Sequence, residues 1–68
     1  MSTVEQLQAA IRTLHSESVG WDDLAFKAEC DHVRAKAQKA ADNGTEEEVQ
    51  DALKLVQAQI AELNEQRK

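Results

Sequence analysis

Apolar positions recur along this chain at helical spacing. Val4, Leu7, Ala10, Ile11 and Leu14 step by three or four residues or share a turn, which puts them on one stripe of a helix. "SESVG", Ser16 to Gly20, interrupts the pattern. A second stripe follows at Phe26, Cys30, Val33, Ala37 and Ala40, and a third at Val49, Leu53, Val56, Ile60 and Leu63. Both step by four, three, four, three. That is the seam spacing of two helices packed at a shallow angle, knobs into holes.

Local signals bound the elements. The pattern predicts a first helix over about 3–17, with Ser2 or Thr3 as cap and Glu5 or Gln6 as its reciprocal partner. A second helix is predicted over about 21–42, with Asp22 and Asp23 at its positive end. "ADNG" closes it, and Asn43 or Gly44 is expected to take the left-handed conformation that ends helices. Thr45 and Glu48 then form a capping box for a third helix over about 45–66. The second and third helices are each expected to run for about 22 residues, roughly 33 Å. A short loop between equal helices makes them antiparallel neighbours. In that arrangement Arg34, Lys36 and Lys39 lie beside Glu46, Glu47, Glu48 and Asp51, while Asp22 and Asp23 lie near Arg67 and Lys68. Exposed pairs contribute only ~0–1 kcal/mol each, so their role is to choose orientation. The expected fold is all-α: one helical domain over 1–68, built as a long antiparallel hairpin with a shorter N-terminal helix and paired as a helix-bundle homodimer.

Composition sharpens this picture. The chain has no proline, two glycines and eleven alanines in 68 residues, the makeup of a helical protein. A chain this short buries only about 60% of its unfolded surface, which favours a second copy as partner. One cysteine forms no intrachain disulfide, consistent with a reducing, cytoplasmic setting. "MSTVEQLQAA" lacks a basic region followed by an apolar core, so no signal peptide is expected. No apolar run approaches the roughly 20 residues of a membrane span. The formal net charge of −5 argues against an electrostatic grip on phosphates. A nucleic-acid mimic ranks below a protein binder, because eight basic residues interleave with the thirteen acids.

Candidate chemistry is sparse. "ECDH", Glu29 to His32, holds metal-ligating residue types, but consecutive helical positions point in different directions and do not converge on an ion. Cys30 has Phe26, Lys27, Val33 and Arg34 at i±3 and i±4. An arginine there lowers a thiol pKa, yet no histidine completes a catalytic pair, so Cys30 is expected in the seam. The basic run "HVRAKAQK" spreads His32, Arg34, Lys36 and Lys39 around the second helix, as a solvated, salt-bridged face does. No glycine-rich phosphate loop or carboxylate dyad appears. No enzyme activity, cofactor, metal or small-molecule substrate is expected.

Trp21 and Phe26 are the only aromatic residues. Phe26 belongs to the seam. A helical wheel continued through Trp21 sets Trp21 and Leu24 opposite Phe26, with Ala28 and Ala35 extending their stripe. Trp21 then has two readings: a plug at the junction when the first helix folds back, or an interface anchor, a use for which tryptophan is favoured. Leu55 projects from the back of the third helix, either as a lone exposed leucine or as part of a patch. Trp21, Leu24, Ala28 and Leu55 are thus the candidate partner-binding residues. The expected function is protein binding, by occupying a partner's surface as a small inhibitor or regulator. In size and shape the chain resembles phage-encoded inhibitors of host regulators and the hairpin cochaperones of bacterial type III secretion. A structural helix-bundle subunit and a nucleic-acid-associated protein are the alternatives.

Overall fold

A computed structural model describes residues 2–67. It is all-helical: α1 spans Thr3–Ser18, α2 Leu24–Asn43 and α3 Glu46–Gln66, within 34 × 18 × 15 Å. Each helix packs on the other two. The helices have 16, 20 and 21 residues, and α1, the shortest, contributes to the core alongside the other two. It places Leu7, Ile11 and Leu14 in the core with Phe26, Cys30, Val33 and Ala37 of α2 and Val49, Ala52, Val56 and Leu63 of α3.

The caps explain the boundaries. Ser2 and Thr45 open α1 and α3, each with a complete capping box through Glu5 and Glu48. Asp23 caps α2, its Oδ1 accepting from the backbone N–H groups of Ala25 and Phe26 at 3.1 Å. That fixes the start of α2 at Leu24, three residues later than the pattern predicts, because the carboxylate of Asp23 satisfies the first free N–H groups.

The left-handed conformation falls at Gly20 and not at Asn43 or Gly44. Gly20 holds the positive φ, 76°, in the connection between α1 and α2. Gly44 ends α2 with φ −79° and ψ 159°, an extended conformation. It matters through proximity: a Cβ there would meet the Ala40 carbonyl oxygen at 2.5 Å. The chain reverses at Gly44 and Thr45, and Gln59 Nε2 donates to Cys30 Sγ at 3.5 Å, with the two residues equally far from that turn.

The seam of α3 is broader than predicted. Its buried line is Val49, Ala52, Val56, Gln59 and Leu63, while Leu53 and Ile60 pack at the margin, partly buried. The reason is α1: a helix facing two neighbours buries a wider arc than a hairpin seam. On α2, Ala40 is likewise only partly buried. The ion pairs of α2 are local, with Asp31 held by Lys27 at 3.5 Å and Arg34 at 3.1 Å. Among the described residues, no ion pair joins Lys36 or Lys39 to the acidic start of α3. Arg67 pairs with Glu17 at 2.6 Å instead of with Asp22 or Asp23, and Lys68 lies outside the described residues.

Candidate functional site

The connection from α1 to α2 forms one end of the bundle. Ser18 is buried, and its hydroxyl donates to the His15 carbonyl at 3.3 Å. The Trp21 N–H donates back to the Ser18 carbonyl at 3.2 Å. Trp21 precedes the cap of α2 and is not on its wheel. Its ring therefore reaches Phe26, with centroids 5.5 Å apart and planes tilted by 45°, a favourable aromatic pairing. This corrects the expectation that the two residues lie on opposite faces. The guanidinium of Arg67 lies over the same indole, 5.6 Å from its centroid, within cation–π range. Arg67 is itself anchored, donating to the Glu17 carbonyl at 2.8 Å. The C-terminus of α3 thus clamps the tryptophan to the end of α1.

Trp21 is half-buried in this clamp. Its neighbours in sequence are open: Val19 is 63% exposed and Leu24 77%. Ala28 and Ala35 continue outward from Leu24, and both are exposed. Sequence reasoning missed Val19, although its place in a glycine-bearing break of the helical pattern signals exposure. It also missed buried Gln59, which the three–four spacing from Val56 and Leu63 marks as a core position.

Leu55 stands elsewhere. It is 40% exposed and lines a groove of about 570 Å³ between α2 and α3. Ala37, Ala40 and Ala52 line it too, with Lys36 and Lys39 on the α2 side and Glu48 and Asp51 on the α3 side. Arg67 lies twelve positions beyond Leu55, just past the end of α3, roughly 18 Å away at 1.5 Å per residue. The four candidate partner-binding residues therefore divide between two surfaces.

The charged groups are shaped by their helices. Arg34 and then Lys27 hold the Asp31 carboxyl below its ordinary range. The Thr45 backbone N–H, and then its side chain, do the same for Glu48. Of "ECDH", Glu29 and His32 are exposed, Cys30 is buried and Asp31 is tied to Arg34 and Lys27. Among the described residues no group of three metal-ligating side chains converges, and no helix is long and apolar enough to cross a membrane. No protein-family model, curated protein or solved structure matches the chain. Its surfaces alone carry the functional reading.

Proposed function

We propose that this chain is a small helical protein-binding module that acts by occupying a partner protein's surface, as an inhibitor or regulator. It works without enzymatic chemistry, in a reducing, cytoplasmic setting, and as a homodimer. The observation behind this reading is the connecting segment from Val19 to Leu24, an edge of the bundle in which a clamped, half-buried Trp21 is flanked in sequence by two exposed aliphatic side chains. A large ring already fixed in place loses little further freedom on binding, which suits it to anchor an interface. Asp22 is exposed beside it, so a matching partner presents an apolar ridge with a basic flank.

The test is affinity capture from native lysate with the wild type and with Leu24→Asp in parallel. An acid in the first turn of α2 suits the helix dipole, so the variant keeps its fold. The expected result is one protein retained by the wild type and lost with Leu24→Asp, whose purified form then shifts Trp21 fluorescence on binding. A partner captured equally by both chains would remove the edge as the recognition surface. Affinity for nucleic acid that falls steeply with salt would favour the alternative class.

A further inference from the structure

We propose that a second copy of this chain occupies the α2–α3 groove, related to the first by a two-fold rotation about an axis lying along the groove. The inference rests on the homodimer part of the reading above and is independent of the Trp21 edge.

The groove has rims of opposite sign and a floor of small side chains. Lys36 and Lys39 rise on α2, Glu48 and Asp51 on α3, and Ala37, Ala40 and Ala52 lie between them. Two symmetric face-to-face pairings are available, since a two-fold interface uses the same patch on both copies. Rotation about an axis across the groove sets α2 on α2, lysine over lysine and acid over acid. Rotation about an axis along the groove sets α2 of each copy over α3 of the other, lysine over acid. Opposed like charges are strongly disfavoured, so charge selects the second arrangement.

The fold also supplies the register. Cys30 and Gln59 meet at 3.5 Å. Equal steps from that contact toward the turn bring Lys39 level with Gln50 and Asp51. Rotation about an axis along the groove preserves level, so Lys39 of one copy lands over Asp51 of the other, twice. Asp51 is the acid available for this role, because the Glu48 carboxylate already accepts from the Thr45 N–H at 3.0 Å. By the same register Leu55, 40% exposed at the rim, comes level with Arg34 of the other copy, about one turn from its Ala37. Together α2 and α3 offer a face about 30 Å long on a bundle 18 Å across.

The test is sedimentation equilibrium of the wild type, Lys39→Glu, Asp51→Lys and the double variant, at low and high salt, with helicity checked by circular dichroism. The wild type is expected to dimerise, more weakly as salt rises. Each single reversal is expected to raise the dimer Kd by at least about tenfold, and the double variant to recover most of that loss. A zero-length carbodiimide cross-link from Lys39 to Asp51 between differently isotope-labelled wild-type chains is expected as well, and it needs no substitution. A wild type that stays monomeric to millimolar concentration overturns both self-association and the groove. A dimer indifferent to both single reversals, with no such cross-link, keeps self-association and overturns the groove. A dimer tightened by Lys39→Glu points to the axis across the groove and overturns the proposal.

Discussion

At the scale of single residues, burial separates side chains that the sequence treats alike. Leu14 and Leu53 both sit in apolar stripes, yet Leu14 is wholly buried and Leu53 only partly. Leu14→Ala is expected to cost about 2–5 kcal/mol, the range for truncating a core leucine. Leu53→Ala should cost clearly less, because water already reaches part of the site and no closed cavity forms. Urea denaturation of the two variants checks the order, and equal costs would return Leu53 to the centre of the seam. Trp21 shows the same dependence on surroundings. Its environment comes from Phe26 in α2 and Arg67 after α3, and the second lies far from it in the chain.

At the scale of elements, the capping boxes carry a signature in pH. The Thr45 N–H favours the charged form of Glu48, so the folded state lowers its pKa. A carboxyl whose pKa is lowered by folding contributes stability that is present above its unfolded value and lost as pH falls through the folded one. Glu48→Gln keeps an acceptor for the Thr45 N–H but does not titrate. Thermal melts of the variant should therefore lose less Tm than the wild type between about pH 5 and about pH 3. Some acid sensitivity should persist, because Asp31 is lowered by Arg34 and Lys27 in the same way. An unchanged slope would mean that the Glu48 bond does not survive in solution. The cap residues of α1 and α3 are Ser2 and Thr45, each within a capping box. The start of α2 differs from the predicted Trp21, because Asp23 caps the helix from outside it instead of lying in its first turn with Asp22.

At the scale of the whole molecule, three helices share one core, so no pair of them is a unit with the third added. Trp21 fluorescence, which reports the α1–α2 junction, and circular dichroism, which reports all three helices, are expected to follow one coincident urea transition. An earlier fluorescence change would mean that α1 detaches first and that α2 and α3 hold together without it. The number and type of helices were legible in the sequence. The two surfaces were not, since Leu24 and Leu55 look alike as outward leucines until packing sends one to the end of the bundle and the other to a groove.

By itself the sequence determined what depends on neighbours a few residues apart: three helices and the capping box of Thr45 and Glu48. Tertiary structure alone decided that α1 completes the core, that Gln59 is buried and Leu53 marginal, that Trp21 lies against Phe26 and beneath Arg67, and that lysine and acid rows flank an alanine floor. Helical periodicity fixes which side chains share a face, whereas the width of the buried face depends on how many helices pack against it, and that is a property of the assembled chain.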